Sequence, residues 1–201
     1  KLIFIANPNN PTGTLLTDDE IYNFLSKVPA RIPVVLDQAY YEYLDTRDQA
    51  IDWLNVFDNL IITRTFSKAY GLAGLRVGYS VSRADIADYI NRVRAPFNVN
   101  HNAQIAAIAA LNDVDYLQES VRSNAQGIKQ LEECFKNLNL NYIKSSANFI
   151  AVEFDNALET YEKLLKEGVI VRPIEIPNFL RISVGTTEEN IYLIKVLKKI
   201  L

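Results

Sequence analysis

The run Ile32-Pro33-Val34-Val35-Leu36-Asp37 is apolar up to its last residue, which is an acid. Its residues do not alternate between apolar and polar, so as a strand it is covered on both faces. Three more runs read the same way: residues 2–6, residues 60–63 ending near Thr65, and residues 77–81 after Arg76. Between the first two, Thr17-Asp18-Asp19-Glu20 has the form of a capping box and predicts a helix over residues 18–27. Doubly covered strands separated by helical segments specify an α/β fold with a mainly parallel sheet and helices packed on it. The conspicuous polar residues Asn10, Asp37, Tyr40, Ser67 and Lys68 fall just after strand ends, where open α/β sheets place their ligands.

The second half has a different grain. Residues 113–138 predict one long helix, with Tyr116, Leu117, Val121, Ile128, Leu131 and Phe135 at mainly helical spacing. Short strands are expected at 142–143, 149–154 and 180–184. A helix over 158–167 is closed by Gly168, a normal place for left-handed backbone. Thr186-Thr187-Glu188-Glu189 caps a last helix running to residue 201. This pattern predicts a smaller α+β domain over residues 113–201, following a first domain of residues 1–112.

Composition narrows the function classes. The chain has 201 residues, 21 Lys and Arg against 24 Asp and Glu, and a net charge of −3. At ~150 residues per domain this is one or two domains, long enough to bury a core. A pI of about 5.3 argues against a general nucleic-acid or membrane binder. Cys134 is the single cysteine and His101 the single histidine, so there is no intramolecular disulfide framework and no cysteine or histidine pair for a metal. Polar chemistry must rest on Lys, Arg, Asp, Tyr and Asn. No signal-peptide pattern, membrane-length apolar run, low-complexity tract or internal repeat is evident. The chain enters a core strand at once after Lys1, as expected of a piece of a longer polypeptide.

Three segments concentrate chemistry. In Asn7-Pro8-Asn9-Asn10-Pro11-Thr12-Gly13, two prolines and a glycine stiffen a loop that can present an Asn amide at a fixed place, or simply end a strand. In Asp37-Gln38-Ala39-Tyr40, an acid at the end of a buried strand needs a partner. A cationic ring nitrogen would serve, with Tyr40 reaching the same ligand, and a local turn cap is the plainer alternative. The third segment, Thr65-Phe66-Ser67-Lys68-Ala69-Tyr70-Gly71-Leu72-Ala73-Gly74-Leu75-Arg76, supplies hydroxyls, a lysine, glycines and an arginine between apolar strands. A lysine in a concave apolar site becomes a nucleophile toward carbonyls. Thr65, Ser67 and Arg76 offer donors for a phosphate. A surface lysine in a glycine-rich loop explains the lysine alone.

Taken in order, Asn10-Pro11-Thr12-Gly13, Asp37-x-Ala39-Tyr40, Ser67-Lys68 and Arg76 resemble the motifs of the fold-type I aminotransferases that use pyridoxal 5′-phosphate (PLP). The resemblance implies a PLP-dependent transferase large domain followed by a small α+β domain. It implies that Lys68 forms the Schiff base with PLP and Asp37 pairs with the pyridinium nitrogen. Tyr40 and Asn10 would bond the ring O3′, and Thr65, Ser67 and Arg76 the cofactor phosphate. Residues 74–79, 93–100 and 180–186 are most similar to the histidinol-phosphate aminotransferases. That likeness makes Arg181 the residue for the substrate's acidic group, here a phosphate ester, with Arg172 a second phosphate-binding arginine. The implied reaction moves an amino group between histidinol phosphate and 2-oxoglutarate or glutamate, in histidine biosynthesis. The implied enzyme is a cytoplasmic homodimer with no metal, no nucleic-acid partner and no membrane partner.

The resemblance covers all 201 residues but only rather more than the C-terminal half of the family's length, so the chain by itself is expected to be inactive. Three alternatives stand beside this reading. A threonine-phosphate decarboxylase shares the motifs and the phosphorylated substrate. An aminotransferase-like PLP sensor module of a transcription regulator, and a non-catalytic fragment, are the others. His101, at an expected helix start, is read as a local hydrogen-bonding residue and Cys134 and Trp53 as packing residues, and of the tyrosines at 40, 41 and 43 only Tyr40 matches the motif.

Overall fold

A computed structural model describes residues 1–44 and 49–201. The chain divides into two compact units, one of residues 1–8 with 15–118 and the other of residues 9–14 with 119–201.

The first unit is built on a four-stranded sheet, ordered β1 (Ile3–Ala6), β2 (Val34–Asp37), β3 (Leu60–Thr65) and β4 (Gly78–Ser82). The first three strands are parallel and β4 is antiparallel to β3. Ala6, Asp37 and Thr63 lie in register, so the three parallel strands end at one edge of the sheet. The expected strand at residue 32 begins at Val34. The side-chain amide of Asn59 holds the Ile32 carbonyl at 2.6 Å, and the Val34 amide takes up the ladder by donating to Asn59.

Val34, Leu36, Leu60 and Ile62 pack on one face against Ile21 and Leu25 of α1 (Asp18–Leu25) and Trp53 of α2 (Ala50–Trp53). The predicted capping box of α1 is present: the Thr17 hydroxyl accepts from the Glu20 amide, and the Glu20 carboxylate from the Thr17 amide. A second cluster joins Phe66, Tyr70 and Val77 to Ala103 and Ala107 of α4 (His101–Asn112). Helix α3 (Ala84–Val93) is an addition to the pattern expected from sequence, whereas α4 begins at His101, where the sequence places a helix start, with the Asn100 side chain accepting the Ala103 amide.

The second unit carries an antiparallel sheet ordered β5 (Tyr142–Ile143), β6 (Phe149–Glu153), β8 (Phe179–Ser183) and β7 (Arg172–Pro173). Ile150, Val152, Leu180 and Ile182 turn one face toward Leu131 and Phe135 of α5 (Val114–Asn137), Leu164 of α6 (Ala157–Lys166) and Leu193 and Leu197 of α7 (Thr187–Ile200). The Thr186–Glu189 capping box opens α7, and Gly168 is left-handed as expected, with φ +77°. Strand alternation turns Phe149, Ala151 and Arg181 to the opposite face, away from this core.

Candidate functional site

In the first unit the ends of β2 and β3 deliver the predicted residues. Asp37 is the last residue of β2, and one of its carboxylate oxygens accepts the Ala39 amide at 3.0 Å. This Asx-type turn carries the backbone to Tyr40, which is buried. Past β3, Phe66, Ala69 and Tyr70 are buried and pin a loop whose intervening residues, Ser67 and Lys68, stay half-exposed. The loop closes on itself, since the amides of Gly71 and Leu72 donate to the carbonyls of Lys68 and Phe66 at 2.9 Å each. The Lys68 ammonium lies 5.4 Å from the centre of the Tyr40 ring, the two parts of the motif facing each other. The Ser67 amide donates to the Thr65 hydroxyl at 3.1 Å. Arg76 is exposed, has left-handed backbone with φ +55°, and donates to the Ala73 carbonyl at 2.8 Å. Asp37, Tyr40, Thr65, Ser67, Lys68 and Arg76 thus share one compact unit.

Asn10, Arg172 and Arg181 belong to the second unit. Arg181 stands in the middle of β8, opposite Ala151 of β6 and Arg172 of β7. Residues opposite one another in an antiparallel pair share a face, so two guanidinium-bearing residues occupy neighbouring positions there. The Arg181 guanidinium lies 4.8 Å from the Phe149 ring centre and donates to the Asn10 side-chain oxygen at 2.8 Å. The loop carrying Asn10 is held by Gly13. Its φ is +76°, its carbonyl accepts the Ser146 amide at 2.8 Å, and a Cβ there would sit 2.2 Å from the Ser145 hydroxyl oxygen. Only glycine fits.

The structure adds polar residues in the first unit that motif reading passed over. Arg64 donates from Nε and Nη2 to the Gln38 side-chain oxygen at 3.1 and 2.9 Å, and its guanidinium lies 3.7 Å from the Tyr41 ring centre. Beside it, both carboxyl oxygens of Glu42 are buried and have no hydrogen-bond partner among the described residues. Burial pushes the Glu42 carboxyl up to about 7, a rise that the nearby Arg64 charge offsets only in part. Burial likewise drives the Tyr41 phenol up to about 12, against the pull of Arg64. A charged residue interrupting the strand Leu60–Thr65 was the available sequence signal for this group.

No helix of the described residues is long and apolar enough to cross a membrane. No group of three or more His, Cys, Asp and Glu among them is placed to hold a metal ion.

The geometry can be set beside known proteins. The family model for aminotransferase class I and II matches residues 1–197. Histidinol-phosphate aminotransferase 1 of Idiomarina loihiensis is 52% identical over 206 aligned residues, covering 100% of this chain and 56% of that protein. The histidinol-phosphate aminotransferase of Methylobacillus flagellatus is also 52% identical, over 99% of this chain and 55% of its own length. The chain therefore spans little more than half the length of these curated relatives. The crystal structure of the Sinorhizobium meliloti histidinol-phosphate aminotransferase in complex with pyridoxal-5′-phosphate superposes with a TM-score of 0.89 at 31% identity, covering 100% of this chain and 58% of that one. Motif order, the placement of a lysine over a tyrosine at parallel strand ends, and these matches agree: the chain belongs to the aminotransferase class I and II family.

Proposed function

We propose that this chain is part of a PLP-dependent aminotransferase acting on histidinol phosphate, with 2-oxoglutarate and glutamate as the acceptor–donor pair of histidine biosynthesis. The observation that carries the reading is the Lys68 amine facing the buried Tyr40 ring, three residues past the Asp37 carboxylate at the end of a parallel strand. The first unit's donor set fits PLP group by group. Asp37 suits a pyridinium N–H, Tyr40 a phenolic ring oxygen, and Thr65, Ser67 and Arg76 a phosphate. When bound, PLP supplies an electron sink for the bond broken at the substrate carbon.

The remaining work falls to the chain's own side chains. Lys68 would supply the amine that holds the cofactor and the base that moves the substrate proton. Asp37 would keep a positive charge on the cofactor's ring nitrogen. Asn10 is assigned to the ring oxygen and Arg181, with Arg172, to the phosphate of the substrate. The face shared by the two arginines supports a dianionic group, since two guanidinium forks match its oxygens. Residues 1–112 are assigned to the cofactor-binding large domain and residues 113–201 to the small domain, in a cytoplasmic homodimer.

The test is a visible spectrum of the full-length protein with added PLP, followed by transamination of histidinol phosphate. A cofactor band that Lys68→Ala abolishes, together with glutamate-dependent turnover, is the expected result. Release of carbon dioxide from O-phosphothreonine without amino transfer would instead assign the site to a decarboxylase.

A further inference from the structure

Arg64 stands in β3 one residue before Thr65 and four before Lys68, and Gln38 stands between Asp37 and Tyr40. The two are joined across the strand ends. By strand alternation Arg64 shares its face with Leu60 and Ile62, whose side chains fill the core against α1. Where that core stops, Arg64 takes the next place on the face. Gln38 is buried, and its single side-chain oxygen takes two N–H bonds from the guanidinium. The Gln38 backbone amide donates to the Thr63 carbonyl at 2.9 Å, so backbone and side chain both tie the segments together. The guanidinium also stacks on Tyr41. Tyr79 of β4 lies opposite Arg64 in the ladder, and the Arg64 charge reaches the Glu42 carboxyl and the Tyr41 phenol, pulling both pKa values down against burial.

We infer that Arg64 is a positioning residue, a clamp that holds the segment bearing Asp37 and Tyr40 at a set distance from the loop bearing Lys68. The inference rests on the cofactor roles proposed above for those three residues. A planar fork that donates twice to one oxygen while lying flat on a ring fixes orientation as well as distance. A lysine ammonium at the same place keeps the charge and loses both constraints. Loosening the clamp lets the Tyr40 phenol drift from Lys68, which changes how firmly the cofactor is held and the pH at which its Lys68-linked chromophore titrates.

The test uses full-length enzyme loaded with PLP, comparing wild type, Arg64→Lys, Gln38→Ala and the double variant. Cofactor affinity is read by titrating the apoenzyme, and the midpoint of the visible band is read against pH. Each single variant is expected to weaken PLP binding about tenfold, the loss of hydrogen bonds to a charged group. Each also moves the band's midpoint, and the double variant is no worse than the poorer single, because both remove the same bonds. Unchanged affinity and midpoint in folded variants, with only a lower thermal midpoint, assigns Arg64 a purely structural role and overturns the inference. Additive losses in the double variant overturn it as well. Should Gln38→Ala not fold, Gln38→Asn, which keeps the amide and withdraws it by one carbon, gives the same two outcomes. A wild-type protein that binds no PLP, or a band that survives Lys68→Ala, overturns the cofactor reading and the clamp with it, and is recognised before any Arg64 variant is compared.

Discussion

Replacing Glu42 by Gln tests whether a buried carboxyl beside the strand ends costs this fold stability at neutral pH. Both Glu42 oxygens are buried without hydrogen-bond partners among the described residues, and the carboxyl is pushed from its ordinary 4.5 up to about 7. A carboxyl whose pKa is raised by folding binds more protons folded than unfolded between those two values. Stability from this group is therefore greatest below pH 4.5 and falls as the pH rises to about 7, after which the loss is complete. At about 1.4 kcal/mol per pH unit the gap is worth about 3 kcal/mol, discounted to about 2–3 kcal/mol for the solvent contact that Glu42 retains. Glu42→Gln keeps the shape and removes the titration. The variant is expected to match the wild type near pH 4.5 and to exceed it by that amount at pH 8. Trp53 is the chain's single tryptophan and sits in the core of the unit that holds Glu42, so urea unfolding followed by its fluorescence reports on the right unit. Parallel pH profiles for the two proteins would refute the reasoning, because they would mean that Glu42 titrates alike in the folded and unfolded chain.

Arg181→Ala in the full-length enzyme removes a charged partner for a phosphate, and binding of histidinol phosphate should weaken by on the order of 2–5 kcal/mol. Steady-state kinetics should show kcat/KM falling more for histidinol phosphate than for an unphosphorylated amine, and equal losses would return Arg181 to a structural role. Gly13→Ala places a Cβ against Ser145 on a left-handed backbone and should cost about 1–3 kcal/mol in chemical denaturation, with the Asn10–Arg181 hydrogen bond disturbed in a structure of the variant. Phe135→Ala empties a fully buried site in the second unit's core and should cost about 3–5 kcal/mol, lowering the thermal midpoint measured by circular dichroism.

Features set within a few neighbouring residues were legible in the chain itself. Runs such as Val34–Asp37 and Phe149–Glu153 announce buried strands because an apolar segment that short can be satisfied only by cover on both sides. The capping boxes at Thr17 and Thr186 act over three residues, and both formed as read. Motif order placed Lys68 and Tyr40 after their strands, and packing then brought the ammonium to the ring. Helix α3 had a readable stripe in Ile86, Tyr89, Ile90 and Val93, whereas α4 showed only its start at Asn100 and, rich in alanine all round, has no polar face to betray its extent. Other features depend on which distant segments meet. The antiparallel turn of β4, the two-residue strand β7 and the pairing of Arg172 with Arg181 are matters of register between strands, and no local preference encodes them. The group formed by Gln38, Arg64 and Glu42 is of the same kind. Its members are 22 or more residues apart across the Gln38–Arg64 and Glu42–Arg64 gaps, and each reads alone as an ordinary polar residue. Only where the parallel strands end side by side do burial and close approach give the guanidinium its amide and leave the carboxyl without a hydrogen-bond partner among the described residues. Short-range preferences thus determined the elements and their order, while the partners and protonation of the buried polar groups were decided by desolvation, which exists only once the chain has folded.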